Sequence, residues 1–318
     1  MTGILIGGAG ILAAVLLAAA ATDSRLAVRR HTVRCGKLTA PIRVAHISDL
    51  HESRFGDGQR QLIHALHAMK PDLIVITGDI VEDDDSDPRE GSVLTTDNPA
   101  RPLLETAPKI APCFMVLGNH ESNIPRTDLL CDELDAFGIT VLHRAHDDEP
   151  DMVEPIEVRG NAVYLCGADD PYFDRRERPR HPSMAERMAE DRDRFGHGIV
   201  GWRGRLRHEY AAIAGDGRLT LLLSHRPEEF ALYRELGFDA AFSGHAHGGQ
   251  WRIPLLLNGL YAPHQGFFPK HAGGVYTYAH TDAAGNFTHI VSRGLSKKRM
   301  VRIFNRPELW QVDFVPEE

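Results

Sequence analysis

Ile42-Arg43-Val44-Ala45-His46-Ile47-Ser48-Asp49-Leu50-His51 is the stretch on which the fold reading turns. Ile42 to Ser48 is a short apolar run that closes on polar residues, the pattern of a buried strand. Downstream, Gln59 to Met69 places Leu62, Ile63, Leu66 and Met69 at helical spacing, and Pro71 ends that helix. Leu73 to Thr77 (LIVIT) reads as a second buried strand and Cys113 to Leu117 (CFMVL) as a third. Strand, helix and strand at this spacing predict a βαβ unit with a parallel sheet.

Farther out, Thr127 to Phe137 reads as a helix, with Gly138 suited to its C-cap. Ile139–Leu142, Ile156–Arg159, Ala162–Cys166, Leu219–Ser224 and Asp239–Ser243 read as further strands, and Trp202–Ala214 as a helix. Val275–Ala279 and Phe287–Ser292 flank a turn at Asp282–Asn286 and predict a hairpin. Arg175 to Gly198, dense in Arg, Asp and Glu, reads as a loop with one helix near Met184 to Phe195. No internal repeat and no linker divides the body, so residues 41–318 form one α/β domain in this reading.

The chain has 318 residues and a net charge of -8, which argues against a nucleic-acid partner with its need for a basic face. Cys35, Cys113, Cys131 and Cys166 include no CxxC pair, against a zinc ribbon or thioredoxin-type site. Histidine is abundant at 18 residues, several of them beside Asp, Asn or Gly, which points to metal ligation or acid–base work.

Residues 1–22 form a separate segment. Gly3 to Ala21 carries no charge and as a helix would span about 28 Å at ~1.5 Å per residue, close to a bilayer's hydrocarbon. A transmembrane anchor, a cleaved signal peptide and a packed helix compete for it. The missing Lys or Arg ahead of the run favours the anchor over the signal peptide. Arg25, Arg29, Arg30 and Arg34 behind it place the domain in the cytoplasm by the positive-inside rule. The expectation is a membrane-associated protein with a single-pass N-terminal helix, with export as the alternative.

The chemistry-bearing residues lie where the strands end. Asp49-Leu50-His51, Gly78-Asp79 and Gly118-Asn119-His120-Glu121 follow the first three strands. His225 ends a later strand and Gly244-His245-Ala246-His247-Gly248-Gly249 follows the next. In open α/β sheets, loops beyond the carboxyl ends of strands build the site. Carboxylate, amide oxygen and imidazole together suit Mn²⁺, Fe or Zn²⁺ better than Ca²⁺. Two metals about 3.5–4 Å apart can clamp a phosphate and acidify a water, and a shared carboxylate is needed to hold them so close. Each motif alone is common; all of them in order, each after a strand, is not.

These motifs, D-x-H, G-D, G-N-H-E, H and G-H-x-H from Asp49 to His247, resemble those of the calcineurin-like metallophosphoesterase family. The resemblance implies a two-sheet β-sandwich flanked by helices in four layers (αββα). It implies one metal on Asp49, His51, Asp79 and His247, and another on Asp79, Asn119, His225 and His245, with Asp79 bridging. His120 would serve the leaving oxygen rather than a metal, and a hydroxide bridging the metals would attack phosphorus in line. Glu121 stands where the wider family often has Asp.

A bacterial membrane-associated phosphodiesterase branch, with enzymes that hydrolyse UDP-2,3-diacylglucosamine, is similar through Gly244–Gln250, the apolar N-terminus and the tail from Ser292 to Glu308. In that tail Arg293-Gly294-Leu295 precedes Phe304-Asn305-Arg306-Pro307-Glu308. This implies a phosphodiester or pyrophosphate substrate, lipid- or nucleotide-linked, and Mn²⁺ foremost among the cofactors. The competing readings are a phosphomonoesterase or protein phosphatase on the same metals, and a non-catalytic scaffold.

Other features have plainer readings. The acidic run from Glu82 to Asp87 and the arginines Arg175, Arg176, Arg178 and Arg180 read as solvated loops. Phe267 and Phe268, near Tyr261 and His264, fit either a pocket wall or packing beneath the site.

Overall fold

Alternation along the central strands dictates the layering of this computed structural model, which describes residues 14–82, 91–143, 152–174, 199–213, 217–280, 285–297 and 301–317. In β3 (Leu73–Thr77), Leu73 and Val75 face one apolar cluster while Ile74 and Ile76 face another. β8 (Leu219–Ser224) does the same, with Leu219, Leu221 and Leu223 on one side and Leu222 on the other. A strand buried on both faces needs a covering layer on each, so this pattern calls for four layers.

The structure has them. One six-stranded sheet runs in the order β1 (Ala27–Arg34), β14 (Glu308–Val315), β2 (Ile42–Ile47), β3, β4 (Cys113–Val116), β5 (Ile139–Val141). The other runs β12 (Gly274–Ala279), β13 (Asn286–Val291), β9 (Ala240–Ser243), β8, β7 (Asn161–Ala168), β6 (Val153–Val158). Val44, Val75, Val116, Leu165, Leu221, Phe242, Ile290 and Phe314 fill the space between them. Each such buried side chain contributes about 1.5–3 kcal/mol. Helices α2 (Arg60–Met69), α3 (Arg101–Ile110) and α4 (Thr127–Phe137) cover the first sheet. Helix α5, described over residues 199–209, and α6 (Phe230–Glu235) cover the second. The expected two-sheet α/β sandwich is therefore the observed fold.

β2 to β5 run parallel, as do β7, β8, β9 and β13. The carboxyl ends of β2, β3, β4, β8 and β9 consequently gather their loops at one rim of the sandwich. Gly138 takes the left-handed C-cap of α4 at φ 93°, as its sequence position suggested.

β1 pairs with β14 over its whole length, so the first sheet begins at Ala27. A two-stranded ribbon, β10 (Tyr261–Ala262) with β11 (Gly266–Phe267), stands beside the rim. The charged stretch Arg175–Gly198, with its arginines and its helix, lies outside the described residues, as do Asp83–Asp87 and most of the β12–β13 turn.

The single-pass anchor is overturned. Among the described residues no helix is long and apolar enough to cross a membrane. The N-terminal helix, α1, is described over residues 14–21 only. At ~1.5 Å per residue those described residues cover about 12 Å, against roughly 30 Å of hydrocarbon. The inferred cytoplasmic topology and the membrane as a partner through this helix fall with it; residues 1–13 lie outside the described residues.

Candidate metal centre

The loops after β2 and β3 interlock before any ligand is considered. Asp49 donates its backbone N–H to Gly78 O at 3.0 Å, and His51 donates to Asp79 O at 3.0 Å. The Asp79 carboxylate then receives the His120 N–H at 2.9 Å, and the Asp49 carboxylate receives the His245 N–H at 2.9 Å. Three loops of one sheet and one of the other are thus tied to two aspartates.

The backbone is locally strained by this convergence. Asp49, His51, Asp79, His245 and His247 all have positive φ, between 45° and 63°. Left-handed backbone in residues other than glycine is uncommon and costs about 1–3 kcal/mol each when unsupported. Two glycines permit the close approach. A Cβ on Gly118 would stand 2.3 Å from Asp79 Oδ1, and one on Gly244 would stand 2.4 Å from Asp49 Oδ2.

The side chains meet as two groups that share a member. Ligand atoms of Asp49, His51, Asp79 and His247 lie within 4.8 Å of one another, and so do those of Asp79, His225 and His245. Asp79 Oδ2 is 3.1 Å from His225 Nε2 and 3.5 Å from His51 Nε2. His225 Nδ1 donates to Thr77 O at 2.7 Å, which leaves Nε2 directed at Asp79 and fixes the ring as a ligating imidazole is usually fixed.

Several of these atoms have no hydrogen-bond partner although buried: Asp49 Oδ2, His51 Nε2 and Asn119 Oδ1. Buried polar atoms left unpaired are costly, and a cluster of acceptors aimed at one space is satisfied by cations. The donors present therefore fit divalent ions.

Electrostatics agree. Burial alone would lower the His225 pKa, but Asp79 outweighs it and holds the ring at about 10, so a proton occupies the place a metal cation would neutralise. Burial works against the Asp79 carboxylate, yet His225 and then His120 keep it well below the usual range. Burial first, then neighbouring cations, hold His245 and His247 well below the ordinary histidine value, so both are neutral and ready to ligate.

His120 stands beside the groups rather than within the shared ones. Its Nε2 is 4.0 Å from Asp79 Oδ2, and its Nδ1 is 3.3 Å from Glu82 Oε2. Glu82 corrects the reading of the acidic run as wholly solvated: its carboxylate also lies 3.0 Å from His51 Nδ1 and is one-fifth exposed. Glu121 is fully buried and accepts N–H donors from Asp79, Ile80, Val81 and Gly118 at 2.7–3.1 Å. Burial, and then Asp79, push its pKa up against those donors. It ties the Asp79 loop to the Asn119 loop, a role for which the longer Glu side chain reaches.

The tail motif braces the same rim. Leu295 donates its N–H to Asp49 O at 3.0 Å, and Asn305 Nδ2 donates to His247 O at 2.7 Å. Sequence reading missed the buried pair Arg226 and Asp170, with half-buried Tyr172 and Glu228 and exposed His264 around it. The visible sign was an arginine directly after a ligand at a strand end. Phe267 and Phe268 are exposed, at 70% and 68%, which excludes packing beneath the site.

The calcineurin-like phosphoesterase profile matches residues 42–249, the span that carries the loops after β2, β3, β4, β8 and β9. The chain belongs to the calcineurin-like phosphoesterase family. It is a metal-dependent phosphoester hydrolase, and its clustered Asp and His residues form a divalent-metal site. Among curated proteins, this phosphoesterase is 27% identical to phosphodiesterase YaeI of Escherichia coli K12 over 87% of this chain and 83% of the relative. It is 23% identical to the metallophosphoesterase YkuE of Bacillus subtilis 168, over 84% and 77%. Among solved structures, a 5'-nucleotidase precursor from Thermus thermophilus aligns with TM-score 0.46 at 17% identity. That alignment covers 81% of this chain and 50% of the other, so the phosphoesterase spans half of that protein's length.

Proposed function

We propose that this chain hydrolyses a phosphodiester with a pair of divalent cations. One would be held by Asp49, His51, Asp79 and His247, the other by Asp79, Asn119, His225 and His245. The observation that carries this is the membership of Asp79 in both groups of converging ligand atoms. Such a pair supplies Lewis acidity to the phosphoryl oxygens and lowers the pKa of a water. Mixed oxygen and imidazole donors favour Mn²⁺, with Fe or Zn²⁺ as substitutes.

This chain's own residues do the rest. Asp79 would hold the cations together against their repulsion. His120, held from behind by Glu82 at Nδ1, turns Nε2 to the site and would protonate the leaving oxygen. Preference for a diester rests on the similarity to a phosphodiesterase. Exposed Leu255, Leu256, Phe267 and Phe268 near the rim favour a substrate that carries an apolar group.

Protein loaded with Mn²⁺ should hydrolyse bis-p-nitrophenyl phosphate faster than p-nitrophenyl phosphate. A clear preference for the monoester would replace this reading with a phosphomonoesterase. Absence of both activities, with less than one metal bound per chain, would point to a scaffold. A diester with an acyl chain should show a lower KM than the aryl diester; equal values would remove the apolar group from the proposal.

A further inference from the structure

His245 can ligate a metal beside Asp79 and His225 through only one of its ring nitrogens. Nδ1 faces that group, 3.2 Å from His225 Nε2. The ring proton of a neutral His245 must then sit on Nε2. Two nitrogens lie near Nε2: Arg226 Nη1 at 3.0 Å and His264 Nδ1 at 3.0 Å. A guanidinium has donors only, so Arg226 cannot receive that proton. Both carboxylate oxygens of nearby Glu228 are without a hydrogen-bond partner, so Glu228 does not receive it either. His264 Nδ1 is the remaining acceptor.

The tautomer of His264 is fixed from its other side. Arg226 Nη1 approaches His264 Nδ1 to 2.6 Å and can only donate. His264 Nδ1 therefore carries no proton, and its own proton is on Nε2, which points to the Tyr172 hydroxyl at 3.3 Å. Arg226 is fully buried, its Nη2 donates to Asp170 Oδ1 at 2.8 Å, and its guanidinium lies 4.7 Å over the Tyr172 ring. His264 is stacked on His245 with ring centres 5.2 Å apart and an interplanar angle of 25°. It sits between β10 and β11 with φ 60°, a strained backbone for such a side chain.

We infer that His264 is a positioning residue of the metal centre. It accepts the Nε2–H of His245 on an Nδ1 lone pair shared with the Arg226 Nη1 donor, and so keeps the His245 Nδ1 lone pair turned to Asp79 and His225. This rests on the assignment of His245 as a ligand. Outer partners of this kind are worth about 10–100-fold in metal affinity.

The test uses two replacements that both tolerate a left-handed backbone and differ in whether they offer an acceptor. His264→Gly removes it; His264→Asn places a side-chain oxygen near the former Nδ1. Mn²⁺ affinity is measured on the full chain by competition with a chromophoric chelator, and folding is checked by thermal melting in excess EDTA. His264→Gly should bind Mn²⁺ about 10–100-fold more weakly, His264→Asn should return to within a few-fold of wild type, and the EDTA melts should coincide. Wild-type affinity in His264→Gly would overturn this role alone. Equal losses in both variants would also overturn it, because the acceptor would then not matter. Failure of the wild type to bind Mn²⁺ would sink the metal assignment itself.

Discussion

The two sheets bring opposite chemistry to the shared rim. The first contributes negative charge: Asp49, Asp79, Glu82 and Glu121, all on loops after β2, β3 and β4. The second contributes bases and a cation: His225, His245, His247 and Arg226, on loops after β8 and β9. Neither set is stable in isolation, since buried like charges repel and raise each other's folding cost. Placed face to face, Asp79 meets His225 at 3.1 Å and Asp49 meets His247 at 3.8 Å. Among the proposed ligands the unpaired acceptors lie on the first sheet, at Asp49 Oδ2, His51 Nε2 and Asn119 Oδ1, whereas His225 and His245 on the second are hydrogen-bonded through Thr77 and His264. Cations would meet the open acceptors of the first sheet, and the second sheet supplies three of the four proposed imidazole ligands, His225, His245 and His247.

The strongest break in this pairing is Asp79→Asn. It removes the only charge that two cations would share and the carboxylate partner of buried His225. Metal content by atomic spectroscopy and turnover should fall together, with activity down by on the order of 10³-fold or more, beyond the ~10–100-fold of an outer partner. Retention of two metals at normal affinity would show that Asp79 does not bridge. His120→Ala should separate the two readouts. Its expected loss in turnover is about 10²–10⁴-fold, the usual range for a general acid, with metal content unchanged. Loss of metal in that variant would move His120 into the ligand set.

Much of this was legible because it is local. Ile42–Ile47, Leu73–Thr77 and Leu219–Ser224 are apolar runs buried on both faces, and each announces its strand and the loop after it. α4 was legible from Leu130 and Leu134 on one face and Gly138 at its end. What stayed hidden depends on distant pairing. β1 has an alternating, half-exposed pattern and becomes a strand by pairing with β14, some 280 residues away. α3 carries Pro102 and Pro108, which mask a helix that packing on the first sheet supports. The apolar N-terminus misled because its composition suits a membrane helix, while the described helix covers only residues 14–21. Glu82 and His264 could not be read as site residues because their partners, His51 and His120 for one and His245 for the other, come from other loops.

Glu121 sharpens the comparison from inside the first sheet. Glu121→Gln keeps the shape but offers one carbonyl oxygen where two carboxylate oxygens received four N–H donors. Leaving buried donors unpaired costs about 1–3 kcal/mol each. The expected result is a loss of about 2–4 kcal/mol by urea unfolding and weaker Mn²⁺ binding, with His225 and its loop untouched. Unchanged stability would mean that the Asp79 and Asn119 loops are held by other contacts.

The smallest expected effect tests how closely the two sheets must approach. A Cβ at Gly244 would stand 1.9 Å from Ser48 Oγ and 2.4 Å from Asp49 Oδ2. Ser48 can rotate its hydroxyl away, but Asp49 is held by the His245 N–H at 2.9 Å and cannot move without releasing that bond. Gly244→Ala should therefore cost about 1–3 kcal/mol of stability, as overpacked sites do. It should also raise the Mn²⁺ concentration needed for half-maximal activity, because the displaced carboxylate is a proposed ligand. Ser48→Ala in the same chain removes the nearer obstacle only. If that double variant recovers stability but not metal affinity, the approach of the second sheet is limited by Asp49 itself, and the charge pairing across the rim sets the spacing.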